Sequence, residues 1–453
     1  MILKHLGHET IDAAANVRKE HENIRAALDW LSEHRRDRAL SLAASVWPFW
    51  RMHNHLSEGR GYLERLLASA GDAVDARTRA AALLGLGNLT RDSGRHDQAS
   101  ELLHESERWA KAAGDVSLQG RVRTVLGWVA WFQGQQNRAR DWVRESADLL
   151  RTTDDRWGLA DALHMLGHIQ IDAGDLDAAH ASFEESLSLF RGVGDGWNLA
   201  QPLKDLGLIA ARRGDYAAAR PMYEESLGFL LGTGDKVQLV DSLNRVGELD
   251  LLIGAPEAAQ ARFESALAIA RDVDNKTLVV EALMRFVELA EGRGKFTEAR
   301  RLLDEALTLA WSAQHQRLIA GIFHNLAYVE LQEGQCEKAA AMLAGALRIH
   351  KSLDRELGIV QNMLGFGALA CDRGQFELAA CLFGAAEAWR ERLGQSVDPF
   401  DRIELATGNV ERLQRTRSAL GETFDRAWAE GRALSRDDAL ASAATLAPPA
   451  AEA

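Results

Sequence analysis

Gly94, Gly134, Gly174, Gly214, Gly254, Gly294, Gly334 and Gly374 follow one another at intervals of 40 residues, and five positions after each stands an alanine, from Ala99 to Ala379. A fixed period of this length means that one supersecondary unit recurs, and such a unit buries its apolar face only against its neighbours. Seven residues before each turn glycine comes another small residue: Gly87, Gly127, Gly167, Gly207, Gly247, Ala327 and Gly367, with Val287 the exception. A large apolar residue precedes each of these, from Leu86 to Phe366. Beyond the glycine, large residues such as Leu103, Val143, Phe183 and Tyr223 are followed three positions later by Ser106, Ser146, Ser186, Ser226, Ala266, Ala306, Ala346 or Ala386. Large and small therefore alternate at helical spacing on both sides of a residue that tolerates positive φ, which predicts helical hairpins packed closely through their small residues. The fold class expected is all-α, a solenoid of α-α hairpins.

The remaining composition narrows the classes of partner. Lys and Arg number 53 against 66 Asp and Glu, a net charge of -13, which argues against a phosphate backbone as the main partner. Nucleic acid and membrane are not expected partners. Cys336, Cys371 and Cys381 form no C-x-x-C motif and are odd in number, which fits a reducing cytoplasm, with Cys371 and Cys381 in packing roles. The start, Met1-Ile2-Leu3-Lys4-His5-Leu6-Gly7-His8, lacks a basic segment followed by a long apolar core, and no stretch approaches a membrane span, so export and insertion are not expected.

The small residue, turn glycine and alanine stand at offsets that resemble the tetratricopeptide repeat (TPR), although the period of 40 exceeds that family's usual ~34. The resemblance implies a right-handed superhelix whose first helices line a concave groove. On this register residues 1–36 form an N-terminal helical cap, 37–76 a degenerate hairpin, 77–396 eight repeats, 397–446 capping helices and 447–453 a disordered tail. Asn54 takes the turn position in the degenerate unit, beside the bulky Trp47, Phe49 and Trp50. Asp398-Pro399 opens a helix toward Leu420, and Ser435 with Asp438 forms a capping box.

The ends carry a second resemblance. Glu20-His21-Glu22-Asn23-Ile24-Arg25-Ala26-Ala27-Leu28 at one end is similar to the segment that follows the nucleotide-binding and winged-helix modules of bacterial signal-transduction ATPases, LuxR-type and AfsR-type regulators included. At the other end Leu382-Phe383-Gly384-Ala385-Ala386-Glu387-Ala388 and Trp428-Ala429-Glu430-Gly431-Arg432-Ala433-Leu434 resemble the close of their sensor array. The ATPase and DNA-binding modules themselves are missing from the sequence: the nearest string to a phosphate cradle, Gly292-Arg293-Gly294-Lys295-Phe296, has Phe296 where a magnesium-binding hydroxyl belongs. The expectation is a non-enzymatic scaffold or sensor array in bacterial signalling or transcriptional regulation. Its partner would be a peptide or protein domain, a regulatory ATPase or winged-helix module among them. The alternative is a small-molecule effector held in a closed pocket near Trp128, Trp131 and His168.

By TPR analogy the groove-facing positions are Arg121, Thr124, Trp128, Trp131 and Phe132 in the second repeat, Asp161, His164, His168 and Asp172 in the third, and Lys204 in the fourth. Trp128 and Trp131 are one-off aromatics, either binding anchors or internal bulk. No repeat pairs lysine at position five with asparagine at position nine, the residues with which TPR modules grip a peptide carboxylate. Asp241, Glu248, Glu281, Glu288 and Glu291 predict an acidic groove further along. His164 and His168 share a helix face, the spacing of a metal pair, but no third ligand is fixed in sequence, so no metal and no cofactor are expected.

Overall fold

A computed structural model describes residues 21–447 apart from 72–73, 195, 234, 274, 354 and 394–407. The expected cap before residue 21, the Asp398-Pro399 helix start and the tail beyond residue 447 lie outside the described residues. Every regular element among those described is helical, as the sequence period requires. The described residues divide into two compact units, one up to Ser242 and one from Leu243.

In the first unit, α1 (His21–His34) precedes the hairpin α2 (Arg36–Met52) and α3 (Leu56–Ala68). Four hairpins in the 40-residue register follow: α4 (Ala76–Asp92) with α5 (His96–Ala112), α6 (Val116–Phe132) with α7 (Gln136–Arg151), α8 (Arg156–Asp172) with α9 (Leu176–Val193), and α10 (Gly196–Arg212) with α11 (Tyr216–Thr233). Helix α12 (Lys236–Leu252) contains the boundary between the units. The second unit continues with α13 (Pro256–Asp272), α14 (Lys276–Gly292), α15 (Phe296–Ser312), α16 (Gln316–Gln332), α17 (Cys336–Ser352), α18 (Glu356–Asp372) and α19 (Phe376–Arg392). Three shorter helices follow them: α20 (Asn409–Leu420), α21 (Phe424–Ala433) and α22 (Arg436–Ala444).

The turn column does what its residue type allows. Gly174 has φ 78°, and Asn54 in the first hairpin takes φ 58°. The small column is equally physical: a Cβ at Gly167 would overlap the Phe183 ring, which is fully buried beneath it. Four hairpins also start with an aspartate cap that the repeat pattern alone does not announce. Asp75, Asp115, Asp155 and Asp235 accept from the backbone N–H of Thr78, Leu118, Gly158 and Gln238 at 2.9–3.0 Å, each satisfying an orphan donor of the first turn. Gly114-Asp115 is thus turn plus N-cap, with Gly114 at φ 64°.

The Ser/Ala column divides the two units. Ser106, Ser146, Ser186 and Ser226 are buried and donate at 2.7 Å to the carbonyls of Ala80, Gly120, Ala160 and Ala200, all 26 residues earlier. Each bond ties the second helix of a hairpin to the first. In the second unit alanine stands at the corresponding positions and apolar packing takes over. Replacing Ser186 by Ala is expected to lower stability by about 1 kcal/mol, the net worth of one such hydrogen bond, read as a fall in the urea midpoint.

No helix among the described residues is long and apolar enough to cross a membrane.

Candidate functional site

The first helices of successive hairpins in the first unit lie side by side, and their polar contacts recur at an offset one residue longer than the repeat. Arg51 Nε donates to Asp92 Oδ2 at 2.8 Å, Trp131 Nε1 donates to Asp172, and His164 Nε2 meets Asp205 Oδ2 at 2.8 Å, each pair 41 residues apart. A side chain on one first helix therefore faces the residue one period and one position further on.

These contacts assemble a polar and aromatic inner face. From α6 come Arg121, Trp128, Trp131 and Phe132. Arg121 makes a bidentate pair with Asp155, at 2.5 and 2.6 Å, and its guanidinium lies over the Trp157 ring at 4.9 Å. Trp128 packs edge-on to Trp131 at 5.7 Å and tilts against His168 at 5.3 Å. Both tryptophans are partly exposed and rest on a small buried cluster that includes Val143, Met165 and Ile169. Phe132 is exposed and stacks on His96 at 5.2 Å. From α8 come Asp161, His164, His168 and Asp172, the last accepting from Trp131 and from Gln136 Nε2 at 3.1 Å. From α10, Lys204 Nζ donates to Gln201 Oε1 at 3.0 Å and pairs with Asp241.

Thr124 is the correction in this set. It is 0% exposed, and its hydroxyl lies 2.8 Å from Ser146 Oγ inside the hairpin, so it belongs to helix pairing and not to the inner face. The acidic groove is a second correction. Asp241 is matched by Lys204, while Arg285 reaches Glu248 at 2.8 Å and Glu288 at 2.5 Å, and Arg245 reaches Glu248 at 3.1 Å. Burial, with Glu288 as a second cause, pushes the Glu291 carboxyl up to about 8, so it is largely uncharged at neutral pH. The charge that the sequence suggests is mostly compensated.

The structure adds residues that column reading passes over. The Arg51 guanidinium from α2 lies 5.8 Å from the Trp197 ring of α10, so helices far apart in the chain face each other across this surface. Arg91 Nη2 joins Arg51 on Asp92, at 2.7 Å. Burial opposes ionisation of Asp92, but Arg91 and Arg51 outweigh it and hold its carboxyl below the usual range. Asp161 shows the reverse balance: burial raises it despite His164, Arg51, Arg91 and Arg121. Trp197 Nε1 donates to Asp235 Oδ2 at 3.1 Å, and burial likewise raises Asp235. Basic and acidic groups, aromatic faces and two imidazoles thus share one surface. It can offer stacking, bidentate hydrogen bonds and metal ligation, and no arrangement of nucleophile, base and orienting group is visible on it.

The sequence model of the tetratricopeptide repeat matches residues 78–152, 158–231 and 198–272. Proteins named as HTH-type transcriptional regulators from Mycobacterium bovis and Mycobacterium tuberculosis are 29% identical over 180 residues, which is 38% of this chain and 20% of theirs. The matched segment therefore spans about a fifth of those relatives. Among solved structures, a Rap protein complexed with competence and sporulation factor superposes with a TM-score of 0.59 at 12% identity, over 79% of this chain and 99% of that one. The quorum sensor NprR from B. thuringiensis, in its apo form, gives 0.54 at 14% identity, over 75% and 97%.

Proposed function

This chain is built of tetratricopeptide repeats, and from that premise we propose that the inner face of its first unit binds an extended peptide or protein segment as the sensing or docking arm of a bacterial regulator. The observation that carries the reading is the convergence of Trp128, Trp131, His168, Arg51 and Trp197 from separate first helices onto one partly exposed surface. Helix pairing within the hairpin requires the buried Gly127 and Ala130, each next to one of the tryptophans, but it does not require aromatic bulk at 128 and 131. The kinship with solved structures adds the fold on which a Rap protein holds competence and sporulation factor, and the relatives named as transcriptional regulators add the setting. A regulatory ATPase or winged-helix module is the protein partner this reading favours, in the cytoplasm.

Aromatic side chains on a desolvated surface carry a disproportionate share of binding energy. Trp128→Ala combined with Trp131→Ala is expected to weaken binding of the best member of a random peptide library by about 30-fold, or ~2 kcal/mol, with helicity unchanged by circular dichroism. A library without a binder, or a double variant that binds as tightly as the parent, sinks the assignment. A collapse of the melting temperature would instead place the tryptophans with the packing of α6 on α8.

A further inference from the structure

We propose that His164, His168 and Asp205 form a binding site for one divalent transition-metal ion of the zinc type. The three donors come from two adjacent first helices: the imidazoles from α8, one turn apart, and the carboxylate from α10. His164 Nε2 and His168 Nε2 lie 2.8 and 3.2 Å from the same oxygen, Asp205 Oδ2, and one ligand atom from each residue falls within 4.8 Å of the others. Zinc holds nitrogen and carboxylate oxygen at roughly 2.0–2.2 Å in tetrahedral geometry, so neighbouring ligand atoms stand about 3.3 Å apart. Two edges of the triangle are already near that length, and the third is no longer than 4.8 Å.

The surroundings hold the donors in place. The Phe183 ring, fully buried, touches both imidazoles, at 5.6 Å from His164 and 5.4 Å from His168. Trp128 closes on them from α6, at 6.1 and 5.3 Å. Rings wedged in this way lose little rotamer freedom on coordination, which is the condition for a tight site. Two imidazoles with one carboxylate suit zinc and its first-row neighbours, whereas calcium and magnesium prefer sets made of oxygen alone. Three protein ligands leave one position of a tetrahedron for water or an exogenous donor. The assignment replaces the sequence expectation of a metal-free pair, because the ligand that completes it sits 41 residues beyond His164, where no contiguous motif could show it.

The test uses the full chain stripped of metal with a chelator and titrated with zinc sulfate by calorimetry, with cobalt as a spectroscopic substitute. The peptide-binding reading does not enter, since the probe is the metal alone. The result expected is one zinc per chain with a dissociation constant on the order of micromolar or tighter, and tetrahedral ligand-field absorption from cobalt. Asp205→Asn, which keeps the shape of the side chain, and His168→Gln are each expected to weaken binding by ~10-fold or more and to remove the cobalt bands. His180→Gln should leave both unchanged, since His180 pairs with Glu184 on the opposite helix of the hairpin. Failure of the folded parent to bind zinc at ~100-fold above that concentration overturns the proposal. So does retention of full affinity in His168→Gln, the more exposed of the two histidines, which carries the test if Asp205→Asn does not fold.

Discussion

Between pH 7.5 and pH 5 two histidines that the core of the second unit keeps neutral are expected to contribute a loss of about 4 kcal/mol, opposed by Glu291, whose raised carboxyl favours the folded chain as it takes up its proton below pH ~8. His324 on α16 and His350 on α17 are 3% and 5% exposed. Among the described residues neither ring nitrogen of His324 has a hydrogen-bond partner, nor has Nδ1 of His350. His324 packs edge-on to Tyr328 at 4.9 Å. Burial, reinforced by His350, lowers His324 from 6.5 to about 3, and burial with Arg355 lowers His350 to about 4. Since both folded values lie below the unfolded one, the unfolded chain binds protons first. The histidine contribution is full above pH ~6.5 and falls as the pH drops toward the folded values, by about 1.4 kcal/mol per unit per histidine. At pH 5 the fall is roughly 2 kcal/mol for each. The check is urea unfolding at the two pH values on the parent and on His324→Phe with His350→Phe. The double variant should lose about 4 kcal/mol less, and equal losses would show that other groups govern the acid limb.

How far the sequence reveals this molecule depends on whether a feature repeats. Gly174 and its equivalents, and the small residues exemplified by Gly167, are visible because the same steric need recurs every 40 residues. The hairpins follow from them. The candidate site is legible only in part, since it is made by what does not repeat. Trp128, Trp131, His164 and His168 stand out as departures within a column. Asp205 and Arg51 do not, because neighbouring first helices meet here at an offset of 41 and a comparison by column pairs each residue with the wrong neighbour; Trp197 does not, because it meets Arg51 from a helix far along the chain. Thr124 fails for the converse reason. A position assigned to the groove by analogy turns toward the second helix here, where Ser146 offers its hydroxyl a partner. Spacing predicts a side chain's face, while the pairing of hydroxyls across the hairpin decides where this one points.

Gly431→Ala is expected to destabilise the second unit by ~3 kcal/mol or more, although alanine favours helix over glycine in an open position. Gly431 lies on α21, and a Cβ there would overlap the carbonyl group and Cα of Cys381 on α19. The contact is reciprocal: a Cβ at Gly384 on α19 would stand 2.5 Å from the carbonyl oxygen of Trp428 on α21. Two helix backbones thus cross through paired glycines, and no side chain can swing aside to admit a methyl group. These are the two glycines within the segments Leu382 to Ala388 and Trp428 to Leu434. Around the crossing, Arg432 binds Glu387 at 2.5 Å and Glu391 at 2.6 Å, while Phe424 and Ala427 bury against Ala380. Forcing α21 outward would open these contacts together and expose the apolar end of the repeat array. Gly321→Ala is the control, since Gly321 lies within α16 in the same unit with no atom near its missing Cβ, and there the substitution should stabilise by about 0.8 kcal/mol. Urea unfolding of the two variants should therefore shift the midpoint in opposite directions. If Gly431→Ala unfolds no earlier than the parent, α21 is free to move away from α19, and the glycine crossing is not what fastens the terminal helices.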